Sequence, residues 1–564
     1  MIYGLLRPFF INTTKMVKDT LSIHLPSRLT SNVCPSPVRD YEAAVSTLNS
    51  LQTNTALLDS YKKQGRRNHS VQQLNLSETV KYLSRTNVTL EQLDTLSVIH
   101  VTGTKGKGST CAFCESILRH HGFKTGFYSS PHLVSVRERI RINGKPLSEE
   151  QFTAYFWQVY RALYDAKENE HDMPPYFRFL TVMAFNVFLI EKVDVAIVEV
   201  GIGGEYDCTN VLRKVPVVGI TSLGMDHMSL LGNSIEEIAW QKGGIFKPGA
   251  TAFTVNQPSG VWDVLSKRAN ERECILEVVP PLEEYDWGIV DVMLPHSKRV
   301  QTLNASLALQ LANAWMLRRK SGSPNVSESL LHHNEINGSN SVLKALAFPV
   351  TSKMLMGLCK CSWPGRLQVL EKGPISFFLD GAHTMESIEM CSQWFLLQQR
   401  NSRDVMTILI FNVGGERDIF NFLAPLIKCK FDVAVFCPNV VERCVPATSD
   451  QANLKVSADQ QQTSSKRIHK IWNSFSEDLL NTKDVETKNE QCEETTNVLK
   501  RSYFFPCVFD AVTFVENQAV MHNKKIHVLV TGSLHLVGCV LSILDPELSI
   551  PSSHFLAEKH FVSA

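Results

Sequence analysis

A glycine-rich loop between an apolar run and a Ser-Thr-Cys step is the first part of this chain that could do chemistry. The stretch VIHVTGTKGKGSTCAF, residues 98–113, holds three glycines and two lysines. Gly103, Gly106 and Gly108 would let the backbone approach a phosphate, and a following helix would offer its N-terminal N–H groups to the anion. Lys107 would then reach the terminal phosphates as a point charge, so the stretch predicts a nucleotide-phosphate site.

The loop departs from the general pattern G-x-x-x-x-G-K-[ST] at two positions. With Lys107 as the motif lysine, Val101 stands where the first glycine belongs and Gly108 where the hydroxyl residue belongs. An ordinary glycine-rich turn is the alternative. The strand-loop-helix context favours the phosphate site, because the pattern requires that placement.

Polar side chains also follow three other predicted strands. Glu199 ends the apolar run VDVAIVEV, where a carboxylate could hold Mg²⁺ against a nucleotide. Asp226 and His227 follow the next strand, and Ser129 or Ser130 in YSSPHL could supply the hydroxyl that the loop lacks. Each signal alone is weak, since many strands end in Glu and a lone His is more often structural. The carboxyl ends of parallel strands share one edge of a sheet, which favours a joint site.

Three alternating arginines follow in VRERIRING. On a strand, Arg137, Arg139 and Arg141 would share one face and could meet an acidic substrate. A solvated edge strand explains the same pattern equally well.

These residues need a scaffold, and the chain is long enough for two domains. Single cores stop growing at about 250–300 residues, and this chain has 564 residues with 44% hydrophobic content. Strands alternate with helices, which predicts an α/β fold with two domains. The expected domains are an N-terminal parallel-sheet phosphate-loop domain, residues 41–362, and a smaller Rossmann-like domain, residues 363–564. Polar stretches predict a surface insertion at 319–342 and a disordered insert at 447–500.

Charge and composition exclude some partners. Lys and Arg total 57 against 56 Asp and Glu, so no global field recruits nucleic acid. The sequence contains no uninterrupted run of about 18 apolar residues, so it does not predict a membrane span. The fourteen cysteines are predicted to be reduced thiols. Residues 1–40 are basic and rich in Ser and Thr, which predicts an organelle-targeting presequence or a disordered tail, and Met16 could be an internal start. Mitochondrial (inner membrane or matrix) and cytoplasmic locations are therefore expected.

Eight motifs in order carry a family resemblance. They are TGTKGKGST, SSPHL with RERIRING, VEVGIGGEYDCTN, GMDHMSLLG, IAWQKGGIFKPG, WPGR, DGAHT and VTGSLHLVG. Their order resembles folylpolyglutamate synthases of the animal type, within the wider Mur ligase group, over about residues 41–545. Val300 and Thr384 depart from residues that are frequent in relatives, but neither removes a proposed ligand.

The resemblance implies roles for individual residues. Lys107, Asp380 and His383 would be catalytic. The implied nucleotide contacts are Gly106, Lys107, Gly108, Ser109, Gln301, Asn304, Arg366 and Asp380. The implied metal ligands are Ser130, Glu199, His227 and Lys242. Lys242 matches a lysine that relatives carboxylate to a carbamate supporting a second Mg²⁺, and a monovalent cation such as K⁺ is a further expectation.

The implied reaction is ATP-dependent amide formation through an acyl phosphate. A reduced folate and L-glutamate would be the other substrates, and a monomer is expected. Dihydrofolate synthase on the same fold is one alternative. A nucleotide-binding switch without ligase activity is another, although the guanine-specific N-K-x-D signature is absent, because NKKI at Asn523 lacks the acid.

Overall fold

The computed structural model describes most of the chain between Arg39 and Ile550. The described residues are 39–53, 69–288, 299–321, 343–399, 404–414, 418–444, 446, 448–452, 458–481 and 501–550. The predicted presequence lies outside them except for Arg39 and Asp40. Asp40 already belongs to the fold, because its carboxylate caps the first helix by accepting the Ala43 amide at 2.8 Å.

A nine-stranded sheet organises the first part of the chain. Its spatial order is β4-β3-β2-β5-β1-β6-β7-β8-β9, parallel except for the antiparallel β3 and β4 at one edge. Its strands are β1 (Val98–Thr102), β2 (Thr125–Tyr128), β3 (Ile140–Ile142), β4 (Lys145–Pro146), β5 (Val195–Glu199), β6 (Val217–Ile220), β7 (Thr251–Thr254), β8 (Ile275–Val278) and β9 (Leu343–Lys344).

Helices cover both faces of this sheet. They are α1 (Tyr41–Ser50), α2 (His69–Arg85), α3 (Leu90–Leu93), α4 (Lys107–His120), α5 (Glu149–Asp165), α6 (Tyr176–Glu191), α7 (Met228–Leu231), α8 (Ile235–Gly243), α9 (Val261–Glu271), α10 (Arg299–Ser321) and α11 (Ser352–Cys359). Alternate strand residues enter opposite cores. Ala196 and Val198 belong to one buried cluster, and Val195 and Ile197 belong to the other. Strands that are buried on both faces read as continuous apolar runs, which is why VDVAIVEV predicts its strand correctly.

The second part of the chain forms a six-stranded sheet of order β10-β11-β15-β12-β13-β14, with only β10 antiparallel to its neighbour. Its strands are β10 (Gln368–Lys372), β11 (Ile375–Leu379), β12 (Val405–Phe411), β13 (Val433–Phe436), β14 (Ser502–Phe504) and β15 (Lys525–Thr531). Its helices are α12 (Met385–Gln399), α13 (Ile419–Ile427), α14 (Ala458–Asn481), α15 (Val508–His522) and α16 (Leu534–Leu544). The predicted fold class, α/β with a large parallel-sheet part and a smaller second sheet, is confirmed.

The prediction of a disordered insert at 447–500 is wrong for the segment that forms α14. This helix buries Ile468 and Trp472, which are 0% and 2% exposed, against the second sheet. Widely spaced apolar residues in a Gln- and Ser-rich segment make a narrow stripe that mean composition hides. The predicted insertion at 319–342 lies outside the described residues after Ser321, and its first three residues belong to α10.

The change from one sheet to the other falls between Lys344 and Gln368, on either side of the predicted boundary at residue 362. None of the helices in the described part of the chain is both long and apolar enough to cross a bilayer.

A buried carboxylate on β8 leads to a stability prediction. Glu277 is 7% exposed, and burial raises the pKa of its carboxyl to about 7. The folded state therefore holds a proton more tightly than the unfolded chain, so stability falls as pH rises from the ordinary Glu value towards 7. Glu277→Gln should remove this loss, raising unfolding free energy at pH 8 by about 2 kcal/mol relative to wild type, with a smaller gain at pH 5.

Thermal unfolding at both pH values measures this difference. Glu283→Gln, a change at an exposed carboxylate nearby, is the matched control. An equal effect of Glu277→Gln at pH 5 and pH 8 would contradict the prediction.

Candidate active site

Four neighbouring strands bring the predicted site residues to one edge of the first sheet. In spatial order β2-β5-β1-β6, Ser130 follows β2, Glu199 ends β5, the glycine-rich loop follows β1 and His227 follows β6. Ligands of open parallel sheets bind at the carboxyl ends of the strands. The sheet order therefore collects residues that lie more than a hundred positions apart in the sequence.

The glycine-rich loop joins β1 directly to α4, as the sequence predicts. Gly106 is the N-cap residue of α4 and has φ of +90°, a left-handed value that favours glycine. Its backbone also lies against the Asn304 side-chain amide, so a Cβ atom would collide there. The N-terminus of this 14-residue helix is the usual place for an anion to meet backbone N–H groups.

Gly108 stands where the general pattern has a hydroxyl residue because a tryptophan covers it. A Cβ atom at Gly108 would lie 3.1 Å from the Trp363 ring. That ring packs on Phe127, with ring centroids 5.4 Å apart, and under Arg141 at 5.2 Å. The departure from the pattern is therefore a packing constraint between the phosphate loop and the WPGR motif.

Two lysines share one acceptor beside the loop. Lys107 Nζ and Lys242 Nζ donate to the Gly103 carbonyl at 3.0 and 2.8 Å. Lys242 is only 3% exposed. Burial, and then the charge of Lys107, lower the pKa of Lys242 well below its usual value. A lowered pKa favours the neutral amine, the form that reacts with CO₂, so the surroundings of Lys242 are compatible with the predicted carbamate.

Glu199 and Ser130 are in contact. The Ser130 amide donates to Glu199 Oε2 at 3.2 Å. Glu199 is 4% exposed. Burial raises the pKa of its carboxyl, against the opposing charges of Lys107, Arg366 and Arg139.

His227 is the N-cap residue of α7, and burial lowers the pKa of its ring. Within the described ranges, no three His, Cys, Asp or Glu side chains form a metal cluster. A carboxylate and a serine hydroxyl fit Mg²⁺, which takes few protein ligands and completes its shell with water and phosphate oxygens.

The predicted nucleotide contacts on α10 lie next to the loop. Asn304, 2% exposed, donates to Gln301 Oε1 at 3.2 Å, and Thr110 Oγ1 approaches Asn304 Oδ1 at 3.5 Å. Gly106 contacts the same amide. Asn304, held by Gln301, therefore packs against the glycine-rich loop. Direct contact of either residue with a nucleotide stays a prediction.

Asp380 and Arg366 come from the second sheet. The two carboxylate oxygens of Asp380 accept the Leu367 amide at 2.9 Å and the Ala382 amide at 3.0 Å. Burial raises the pKa of Asp380, while Arg366 lowers it. The contacts that the structure shows for Asp380 hold the WPGR and DGAHT loops together, and its catalytic role remains a prediction.

His383 reaches from the DGAHT loop to the phosphate loop. Its Nδ1 donates to the Gly381 carbonyl at 2.8 Å, so a neutral ring leaves Nε2 as an acceptor. That Nε2 lies 3.3 Å from Lys105 Nζ and 3.7 Å from Asp226 Oδ2. Burial opposes ionisation of Asp226, but His383 and Lys105 hold the pKa of its carboxyl below the usual value. His383 thus contacts residues of the first half of the chain.

The sequence prediction missed two features of this junction. Lys105 lies in the glycine-rich loop, and its positive charge was the sequence feature that could have indicated a role at the site. Asp450 is half-buried and contacts the first part of the chain: its Oδ1 accepts the Tyr41 hydroxyl at 2.8 Å and the Val136 amide at 2.6 Å. It lies in the polar stretch predicted to be disordered, where no sequence signal distinguishes it.

The expectation that three arginines share one strand face is wrong. Val136–Arg139 is a 3₁₀ helix and β3 begins at Ile140, so the side chains diverge. Arg137 faces Glu149 at 3.7 Å, and Arg141 faces Glu138 at 3.7 Å. Arg139 instead lies in the interior, 9% exposed.

Fold and site together define a two-sheet α/β protein with a phosphate loop at the junction of its halves. The mitochondrial folylpolyglutamate synthase of Homo sapiens is 44% identical over 558 residues, covering 91% of this chain and 93% of that protein. The folylpolyglutamate synthase of Candida albicans is 35% identical over 540 residues, covering 90% and 97%. No family model matches the chain. The chain belongs to the folylpolyglutamate synthase family.

Solved structures share the fold. Folylpolyglutamate synthase of Mycobacterium tuberculosis complexed with ADP superposes with a TM-score of 0.61 at 21% identity, covering 91% of this chain and 100% of that chain. The E. coli protein FolC in complex with DHPP and ADP gives 0.59 at 22% identity, covering 90% and 99%.

The packing of Gly108 against Trp363 is testable. Gly108→Ala should lower unfolding free energy by about 1–2 kcal/mol, because the new methyl group would press into an indole ring that packs against Phe127 and Arg141. Thermal unfolding measures the change. Gly224→Ala is the control, since a Cβ atom there meets nothing within 4 Å. A melting temperature for Gly108→Ala at or above that of wild type would refute the packing argument.

Proposed function

We propose that this protein adds L-glutamate to the γ-carboxylate of a reduced folate or its polyglutamylated form, using ATP. The main support is that the phosphate loop and Glu199 lie close to Arg366 and His383, which come from the second half of the chain. Family membership at 44% identity over nearly the whole chain supports the same conclusion. A nucleotide switch without ligase activity would need no contacts from the second sheet.

The chemistry requires activation, because a carboxylate resists attack by an amine at neutral pH. A γ-carboxylate oxygen attacks the terminal phosphorus of ATP, ADP leaves, and an acyl phosphate forms. The amine of L-glutamate then attacks the acyl carbon, and phosphate leaves as the amide forms. Lys107 would exchange its bond to the Gly103 carbonyl for a phosphate oxygen. Arg366 would balance the charge that develops on the transferred group.

Magnesium is the metal that this site fits. Ser130, Glu199 and His227 are the proposed ligands for one ion, and a carboxylated Lys242 would support a second. Bound Mg²⁺ would neutralise phosphate charge during transfer. A monovalent cation such as K⁺ is a further proposal from the family resemblance.

The contact of His383 with Lys105 keeps the two halves together over the reacting groups. An acyl phosphate is lost to water if the site stays open, so a junction closed by protein side chains protects it. We place His383 at this junction as a catalytic candidate, because Nε2 is the ring nitrogen that faces the phosphate loop.

The relative from Homo sapiens is named as mitochondrial. We propose mitochondrial and cytoplasmic locations for this chain, on the basis of its basic first 40 residues and Met16. A monomer that binds only small-molecule substrates is part of the same proposal.

Product release tests the proposed reaction. Purified protein with ATP should release ADP only when both a reduced folate and L-glutamate are present. ADP release that needs neither substrate would contradict ligation. If dihydropteroate replaced the folate with equal efficiency, the activity would instead be that of a dihydrofolate synthase.

Lys107→Ala should reduce turnover by about 10²–10³-fold, because it removes a charge aimed at the transferred phosphoryl group. Its melting temperature should stay close to that of wild type, since a partly exposed lysine loses one hydrogen bond worth about 1 kcal/mol. Lys214→Ala, at an exposed loop position, is the control and should turn over normally. Unchanged turnover in Lys107→Ala would refute the phosphate-site assignment.

A further inference from the structure

A buried glutamine holds the chain that follows β6. Gln257 is 8% exposed and lies just beyond the end of β7 at Thr254. Its Oε1 accepts the Leu223 amide at 3.0 Å, and its Nε2 donates to the Thr221 carbonyl at 3.0 Å and to Thr254 Oγ1 at 2.9 Å. An amide side chain has an acceptor oxygen and two N–H donors, so these bonds use both of its ends.

The side-chain amide of Gln257 takes the place of a strand. The pairing of β6 with β7 reaches the register of Ile220 with Thr254, where β7 ends. In a parallel sheet, one residue of the neighbouring strand binds a carbonyl and the amide two positions further on. Gln257 makes the same pair of bonds from its side chain, to the Thr221 carbonyl and the Leu223 amide. Residues 221–224 are therefore held as if β7 continued.

The other edge of residues 221–224 binds the glycine-rich loop. The Ser222 carbonyl accepts the Thr104 and Lys105 amides at 3.0 and 3.1 Å. Thr104 Oγ1 accepts the Gly224 amide at 3.2 Å. The turn that carries the proposed metal ligand His227 follows at once. A displacement of this segment would therefore move both the start of the glycine-rich loop and that turn.

Burial makes the amide of Gln257 hard to replace. Thr221 is 0% exposed and Leu223 is 6% exposed. Without the glutamine, a carbonyl and an amide would be left in the interior without these partners, which is costly, so the segment would shift to recover hydrogen bonds. Binding of phosphate at a helix N-terminus depends on where the backbone N–H groups point, and small displacements weaken it.

We propose that Gln257 is a positioning residue for nucleotide binding. Its amide holds residues 221–224 against the glycine-rich loop and so keeps that loop in the conformation that binds the phosphates of ATP. The inference rests on the proposed function, which takes this loop as the ATP site. Gln257 acts on the nucleotide through the loop, so its loss should weaken ATP binding and leave the binding of folate and L-glutamate unchanged.

Gln257→Met tests this role, because methionine keeps the length of the side chain but loses its hydrogen bonds. The Kd of a non-hydrolysable ATP analogue, measured by calorimetry with Mg²⁺ present, should rise about 5- to 30-fold. The KM values for folate and L-glutamate should stay within about twofold of wild type. A purely structural role would lower the melting temperature and the active fraction without changing this Kd, since the molecules that remain folded would bind as wild type does.

Thr254→Val is a milder change on the same path. It removes the hydroxyl that accepts Gln257 Nε2 and keeps the shape of the side chain. The Kd of the analogue should rise about 2- to 5-fold. This variant keeps the inference testable where Gln257→Met does not fold.

Gln310→Met is the matched control. Gln310 is also buried, at 5% exposed, but its Nε2 donates to the Leu346 carbonyl at 2.8 Å. Its replacement should lower the melting temperature and leave the Kd of the analogue within about twofold of wild type. A folded Gln257→Met or Thr254→Val with the wild-type Kd would overturn the inference. Wild-type protein that binds the analogue but shows no folate- and glutamate-dependent ADP release would instead overturn the proposed function.

Discussion

The pairing of β1 with β5 on one side and β6 on the other is the constraint on which the site depends. Val101 is in register with Glu199 and with Gly219. The loop after β1 is held on by further hydrogen bonds, with the Thr104 and Lys105 amides donating to the Ser222 carbonyl at 3.0 and 3.1 Å. Because backbone hydrogen bonds set this register, the loop, the carboxylate and the turn before His227 must lie side by side.

The candidate site contains ionisable side chains that are buried. Glu199 and Lys242 are both nearly enclosed. Burial raises the pKa of Glu199 and lowers the pKa of Lys242, so it favours the neutral form of each side chain. Such surroundings cost stability in the empty protein, because charged groups lose their water. The charged form of each group would become favourable beside a bound group of opposite charge, since opposite charges interact strongly away from bulk water. The buried ionisable side chains of the candidate site are thus suited to highly charged substrates.

Three separate segments bring side chains to the first half: the connection before β10 and two loops of the second half. Trp363 covers Gly108, His383 meets Lys105, and Asp450 binds Tyr41 and the backbone of the loop after Ser130. Side chains from the segment before β10 and from two loops of the second half therefore contact the phosphate loop and the serine loop directly. The two halves are therefore in contact at the candidate site, although each has its own sheet and core.

Much of this could be read from the sequence. Apolar runs such as VDVAIVEV specify buried strands, because a parallel strand is covered on both faces. Glycines at 103 and 106 specify a close backbone approach, and the ordered motifs identify the family. The sequence by itself thus determined the fold class, the phosphate loop and the set of candidate residues.

Only the tertiary structure decided which of those residues meet. Gly108 lacks a side chain because of an indole 255 positions later in the chain. Arg137 and Arg139 lie in a 3₁₀ turn, whereas Arg141 lies on β3, so the three side chains do not share one face. The order of α14 and the role of Asp450 depend on surfaces formed by distant segments. Composition and periodicity report local conformational preferences. These features instead arise from packing between residues that are far apart in the sequence, and no local pattern of residues indicates such packing.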